Sequence, residues 1–522
     1  MSSNYFNMKW IFGILTLLLI NLTFLMAQSG QLDPSFGNGG WVNTDFGGKD
    51  QSGCVAIQPD GKILVGGRSN GFSGSFDFII ARYLENGQLD GSFGDQGKVV
   101  LDFGSTQENV EFIHYLPENK ILIGGYSNLS PNTTSYVVRL ELDGSVDKTF
   151  ANQGVLSFKY GRSTGILNMD LQEDGKYVFG CIGVIDTLDV DFLVTRFWPN
   201  GTLDTSFNHK GWVYYDFMTR ENIPFDMFVQ KDHKIFLSGC SGVYPKANFA
   251  FVRYNEDGSL DSSFGNMGSM QTDFAGNQDV AYSSIIQEDG SFYVSGTVRD
   301  SITNYDFALA KYNSDGSLDQ SFGNGGKLTY DFKGPVDFGL YMKQQKDGKL
   351  LVCGENNILT KNSFVVARFY KDGSIDSKFG NNGMASLDVV NILTDDTPSF
   401  TLQQDEKIVM VGNYKDGTNI NFLIIRFLND EISSTNEENH TPFLIAPNPV
   451  EDHLILHNSN IESKYTISIL HPNGNILQQE AIQFDKSSKE IGLSKSVLWL
   501  PGVYFLKWNH GTKHGVIPFI KS

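Results

Sequence analysis

Cysteine, proline and positive charge are all in short supply in this chain of 522 residues. Four cysteines, Cys54, Cys181, Cys240 and Cys353, exclude a disulfide-dense scaffold. Each lies within or beside an apolar run, so buried thiols are expected, with a Cys181–Cys240 bridge as the alternative. Lysine and arginine number 40 against 59 aspartates and glutamates, a net charge of −19. Such a surface repels nucleic acid and anionic lipid. After residue 27 no run is apolar and long enough to span a membrane as a helix, so no transmembrane segment is expected in the mature protein. No segment holds a capped 3.6-residue apolar period either, so helices should be scarce.

What is abundant points to strands and tight turns. The chain has 40 Phe, 21 Tyr and 55 Gly. Its first nine residues are polar and end in Lys9, residues 10–26 form one apolar run, and Ala27 precedes Gln28. This describes a secretory signal peptide over 1–27, an uncleaved anchor being the alternative.

One phrase returns seven times. It reads GQLDPSFGNGG from Gly30 and GQLDGSFGDQG from Gly87, and closes the series as GSIDSKFGNNG from Gly373. Its aspartates, Asp33, Asp90, Asp147, Asp204, Asp261, Asp319 and Asp376, stand 57 residues apart, once 58. Four short runs fill each interval. One ends in Asp-Phe or a relative, as at Asp102-Phe103. One ends in Gln before a turn, as in QPDGK from Gln58. One closes on small residues, as in ILVGG from Ile63. The last pairs a basic residue with an aromatic, as in ARY from Ala81. Asp-Gly and Asn-Gly between the runs supply the positive φ of tight hairpins. Seven copies of four antiparallel strands describe an all-β fold, a seven-bladed β-propeller over 28–428. An open β-solenoid is the rival, but its coils are usually shorter.

The phase of the repeat adds a closure. With the inner strand of a blade at Cys54–Gln58, the others fall at Lys62–Gly67, Phe76–Leu84 and Lys98–Phe103. The seventh blade then has no fourth strand, while the chain start has a spare one at 41–46. That strand is expected to complete the last blade and remove both sheet edges. The phrase QPDGKILVGG…FIIARYLENGQLDGSFG resembles the delta-60 repeat of secreted bacterial proteins, from residue 30 to about 430. The resemblance implies no enzymatic activity. PENK stands in place of the QPDGK phrase at Pro117.

Residues 429–442 are polar, acidic and aperiodic, so they read as a linker. Alternating β runs resume over 443–522 and suit a small Ig-like β-sandwich. This segment resembles the type A C-terminal sorting domain of type IX secretion in the Bacteroidetes. The matching residues are Pro447, Asn448, Pro449 and Asp452 in APNPVEDHLIL, then Gly474, then Pro501, Gly502 and Tyr504 in LWLPGVYFLKW, and Lys521 near the end. The resemblance implies the type IX secretion machinery as a partner and an extracellular or cell-surface location, after export through the periplasm and outer membrane. Pro518 in the terminal strand departs from what a central strand tolerates.

No catalytic, cofactor-binding or metal-ligating set stands out. Ser69 in GRSNG matches a nucleophile pattern that requires a strand-to-helix elbow, and here it falls in a hairpin. His453 and His457 share a strand face without further ligands. The turns from Asn255 and Asn313 leave weak calcium binding as a minor option, short of the oxygens a calcium loop requires. The recurring Arg82, Arg139, Arg196, Arg253, Lys311, Arg368 and Arg426 are expected to pair with the aspartate before phenylalanine, as a structural device. The loops between second and third strands differ in every copy and share one face. Phe72, Tyr126, Tyr244, Tyr305 and Tyr414 at their tips suit an extracellular glycan or protein ligand. The expected function is a non-catalytic binding or structural module, the alternative being an extracellular polysaccharide-acting enzyme with its site on that face.

Overall fold

The computed structural model describes residues 29–429, apart from short stretches at 72–73, 128–131, 186–188, 275, 300–304, 333–335, 359–360, 388–391 and 394–397, and the strands of a second unit between 444 and 521. The chain divides into two compact units, Met1–Asp430 and Glu431–Ser522. The expected signal peptide and nearly all of the expected linker lie outside the described residues.

Blade 1 is a four-stranded antiparallel meander of Asp50–Ile57, Ile63–Ser69, Asp77–Tyr83 and Lys98–Leu101. The same meander starts again at Glu108 for blade 2, Ser163 for blade 3, Asn222 for blade 4, Asp279 for blade 5 and Val336 for blade 6. Blade 7 takes Ser399–Leu402, Ile408–Asp416 and Asn419–Phe427 from the chain end, and its fourth strand is Trp41–Thr44 from the start. That strand pairs antiparallel with Asn419–Phe427, Trp41 facing Ile425 and Thr44 facing Phe422. The fold is a seven-bladed propeller. Among the described residues the only helical turn is a short 3-10 stretch at Phe207–His209.

Burial follows position in the blade. The third strands, DFIIARY in blade 1 and DFLVTRF in blade 3, are buried at every residue. They lie mid-sheet with another blade on each side, so both of their faces must be apolar. Inner strands alternate instead, as in DQSGCVAI. Both of their sides pack on neighbouring blades, Val55 and Ile57 with blade 7 and Cys54 and Ala56 with blade 2, and their free edge lines a central channel.

The inner strand begins four residues earlier than its apolar alternation indicates. A β-bulge explains this. The register slips once in each of the first six inner strands, at Gly53, Glu111, Leu167, Phe225, Tyr282 and Leu340. The extra residue reverses the alternation and hides the first half of the strand from a period-two pattern. The bulge also accounts for the small residue that closes the second strand. A Cβ on Gly125 would stand 1.9 Å from the Asn109 carbonyl oxygen.

The second unit holds seven described strands. Leu444–Ala446, His453–His457 and Ser488–Gly492 form one sheet. Ile476–Gln483, Lys464–Leu470, Gly502–His510 and Lys513–Lys521 form the other, in that order. Leu456 and Ile491 of the first and Ile467, Ile469 and Leu506 of the second are buried. Pro518 faces Phe505 from the edge strand of the larger sheet, where a missing N–H is tolerated.

Candidate functional site

One feature repeats in every blade and is structural. The expected partner of the recurring cation, the aspartate before phenylalanine, is not the one it takes. Arg82 Nε bonds Asp90 Oδ2 at 2.8 Å, Arg139 bonds Asp147 at 2.8 Å and Arg253 bonds Asp261 at 2.7 Å. These aspartates come from the LDxSFG phrase, eight residues on. The Asp90 N–H donates to the Arg82 carbonyl at 2.8 Å, so the link folds back and delivers its carboxylate to the guanidinium. The same guanidinium lies 4.6 Å from the Phe93 ring centroid and reaches the Leu142 carbonyl of the next blade. The lysine of the QPDGK phrase joins the unit, Lys62 Nζ standing 3.3 Å from Asp90. Burial alone would raise the Asp90 carboxyl, but the Ser92 hydroxyl and N–H, then Arg82 and Lys62, hold it down at about 2. Six arginine units hold their blade to the next in this way, and in blade 5 Lys311 takes the arginine's place and pairs with Asp319 at 2.8 Å.

A ligand site breaks such symmetry, and the break lies at the loop-face mouth of the channel. The residue after the closing small pair of the second strand is Arg68 in blade 1 and Tyr126 in blade 2. In blades 3 to 7 the register places Ile182, Cys240, Thr297, Glu355 and Asn413 there. Arg68 is the only basic residue of the set, and Glu111 is the only charged residue among the bulge positions. Arg68, Glu111 and Tyr126 line one pocket of about 430 Å³ with Gln51, Phe76, Asn109 and Tyr341. Arg68 Nε donates to Gln51 Oε1 at 2.8 Å, and its Nη1 donates to Asn109 Oδ1. Its guanidinium lies 4.8 Å from the Phe76 ring centroid. The Tyr126 hydroxyl bonds Glu111. Burial pushes the Glu111 carboxyl up to about 7, against the opposing pull of Arg68 and Tyr126.

The pocket opens into the central channel, which shares Gly53, Glu111 and Tyr341 with it, is lined by all seven inner strands and has a volume of about 1230 Å³. The channel carboxylates are held by neighbouring blades. Asp226 accepts from Asn168 Nδ2 at 2.7 Å and from the Ser284 N–H at 2.8 Å. Burial still lifts its carboxyl to about 6, with Lys343 among the groups opposing the rise. Asp170 accepts from the Val229 N–H at 2.8 Å, and burial raises it too. Burial lowers His114 to about 4, and Lys343 adds to the effect.

Of the described loop aromatics, only Tyr126 lines the pocket. Tyr244 and Tyr305 flank Arg299, whose guanidinium stands 5.4 and 5.2 Å from their ring centroids. Tyr414 packs 6.1 Å from Trp41 in blade 7. Phe72 lies outside the described residues, as do Pro447, Asn448, Pro449, Asp452, Gly474 and Pro501. Gly502 and Tyr504 fall in Gly502–His510, and Lys521 ends the last strand. Ser69 ends a second strand and its hydroxyl bonds Asp50, with no elbow to a helix. Asp257, in the turn from Asn255, accepts from the Ser259 N–H and hydroxyl at 2.9 and 2.6 Å. The four cysteines are free and buried. Arg68 and Glu111 carried a signal that sequence reading missed, because it shows only once the repeats are aligned on their bulges.

Seven four-stranded blades, each held by an arginine or lysine and an aspartate, define a repeat β-propeller followed by a separate β-strand unit. Residues 58–93, 116–150, 172–207, 230–264, 287–322 and 345–379 match the domain of unknown function (DUF5122) beta-propeller, and 444–521 match the secretion system C-terminal sorting domain. The chain is thus a delta-60 repeat propeller with a type IX sorting domain, exported by type IX secretion to the cell surface or the extracellular space. No curated protein matches it. Among solved structures it is similar to PorZ, a surface component of the type-IX secretion system of Porphyromonas gingivalis (10% identity, 90% of this chain, TM-score 0.38), and spans 59% of that protein's length. It is also similar to the polysaccharide lyase Uly1 (9% identity, 78% of this chain and 94% of that one, TM-score 0.42). A third is Sqt1 from Chaetomium thermophilum (12% identity, 73% and 96%, TM-score 0.43). No helix among the described residues is long and apolar enough to cross a membrane.

Proposed function

We propose that the propeller is a non-catalytic binding module that presents the pocket between blades 1 and 2 to an extracellular glycan. The carrying observation is the grouping of Arg68, Glu111 and Tyr126 in one pocket, with Arg68 the one basic residue at its repeat position and Glu111 the one charged residue among the bulges. Aromatic faces from Tyr126 and Tyr341, beside the amides of Gln51 and Asn109, suit sugar rings and hydroxyls. In this reading the second unit folds as an Ig-like sandwich. Its Pro447, Asn448, Pro449, Asp452, Gly474, Pro501, Gly502, Tyr504 and Lys521 serve recognition by the secretion machinery.

A glycan array probed with the full-length protein tests the reading. A retained glycan lost on Arg68→Ala and on Tyr126→Ala supports it, and binding unaffected by either change overturns it. One observation favours the enzyme alternative. A carboxyl near 7 that is hydrogen-bonded to a phenol and faces an arginine can move a proton at neutral pH. Depolymerisation of the bound glycan, abolished by Glu111→Gln with binding retained, would replace the binding-only reading.

A further inference from the structure

Three positions converge on the loop face where one blade meets the next. They are the residue that opens a third strand, the aspartate before phenylalanine, and the residue that opens the next inner strand. At the junction of blades 3 and 4 these are Asp191, Asp216 and Asn222. The Asn222 amide is shared between the carboxylates, Nδ2 standing 3.3 Å from Asp191 Oδ1 and 3.4 Å from Asp216 Oδ1. An asparagine also enters at blades 4 and 5, as Asn248, and at blades 7 and 1, as Asn421.

The junction of blades 1 and 2 has no such amide. It brings together Asp77, Asp102 and Glu108, one oxygen from each lying within 4.8 Å of the others. Glu108 stands where blade 4 has Asn222, so a donor is replaced by an acceptor. Its side chain is fully buried at 0% exposure. Oε1 accepts from the Phe103 N–H at 2.9 Å, and Oε2 has no hydrogen-bond partner. A buried carboxylate oxygen left in this state is costly. Asp77 is buried as well, and Asp102 is exposed and opens the group to solvent.

We propose that Asp77, Asp102 and Glu108 bind a calcium ion between blades 1 and 2. The ion supplies the positive pole that the Asn222 amide supplies two junctions on. Calcium takes oxygen ligands at about 2.3–2.6 Å, so ligands across its sphere stand about 5 Å apart, which suits this spacing. The exposed side at Asp102 leaves room for water to complete the coordination. The same trio of carboxylates recurs at blades 5 and 6 as Asp306, Asp331 and Asp337, which gives a second position. Neither set overlaps the pocket of Arg68 and Glu111.

Equilibrium dialysis of the metal-stripped full-length protein against calcium tests the site. Extracellular modules bind calcium in the range of about 10⁻⁴–10⁻³ M, so the titration extends to several times the top of that range. The wild type is expected to take up calcium, and Glu108→Gln to bind one ion fewer. The glutamine restores an amide donor, so the variant should melt in chelator at or above the wild-type temperature, which shows that it folds. No calcium bound by the wild type, or the same number bound by the variant, overturns the proposal. A proton shared among the carboxyls would give the first of those results.

Discussion

Arg426 Nε donates to Asp33 Oδ2 at 2.9 Å across 393 residues of chain. Both side chains are almost fully buried, and the guanidinium also lies 4.6 Å from the Phe36 ring centroid. The unit that links successive blades elsewhere here joins the two ends of the ring. Its Nη1 bonds the Glu85 carbonyl of blade 1 at 2.5 Å, so blade 7, the N-terminal segment and blade 1 meet at one cation.

Asp33→Ala should therefore do more than weaken one contact. Leaving a buried guanidinium without its carboxylate costs about 3–5 kcal/mol. The loss should appear in hydrogen exchange as faster exchange of the Ile424 and Phe422 amides, which belong to the strand that Trp41–Thr44 covers. Asp204→Ala removes the equivalent pair inside the chain and should leave those amides protected. Equal exchange in the two variants would show that the N-terminal strand is not held by this pair.

Much of this arrangement was legible in the repeat itself. The seven aspartates at one period, the missing fourth strand of blade 7 and the spare run at Trp41 all follow from strand order alone. The bulge was not legible, because one inserted residue reverses the alternation that period-two reading depends on. The partner of Arg82 was missed for a related reason. Sequence proximity to a strand favoured Asp102, whereas the back-folded link brings in Asp90 through a backbone hydrogen bond. The pocket was legible only in part. Tyr126 stood out as an aromatic at a loop, but Arg68 and Glu111 gain meaning from facing each other across two blades.

The bulge makes a direct prediction about glycine. Gly125→Ala places a methyl group 1.9 Å from the Asn109 carbonyl, and backbone cannot yield there without breaking the bulge. A loss of about 2 kcal/mol or more is expected from chemical denaturation. Gly104→Ala, where nothing lies within 4 Å, should cost only about 1 kcal/mol, from its φ of 78° alone. Comparable losses at both would mean that the bulge does not constrain the second strand.

Lys343 is the basic side chain whose field reaches both His114 and Asp226 in the channel. Replacing it with methionine removes a charge that disfavours the imidazolium and favours the carboxylate. Both groups should then titrate higher, His114 from about 4 and Asp226 from about 6. Histidine resonances followed by NMR from pH 3 to 7 would show the His114 midpoint rise. An unchanged midpoint would place Lys343 too far from the imidazole to matter.

Stability should pass through a maximum near about pH 5, set by two opposed groups of carboxyls. Glu111 and Asp226 are raised in the fold, to about 7 and about 6. Between pH 7.5 and 5 the folded state binds their protons and the unfolded chain does not, so stability rises as pH falls. His114 works against them, because its imidazole is lowered in the fold and the unfolded chain takes that proton first. Burial raises Glu108 to about 6 as well, so the raised carboxyls outnumber the one lowered imidazole and leave a net gain. Below pH 4 the sign reverses. Asp90, Asp261 and Asp319 are held at about 2 by serine and by arginine or lysine. Their stabilisation is complete above the ordinary aspartate value and is lost as pH falls from 4 towards 2. Thermal melts across pH 3–8 should show this dome. In Glu111→Gln the rise between pH 7.5 and 6 should flatten while the acid limb stays in place, because that limb belongs to the units that hold the blades together.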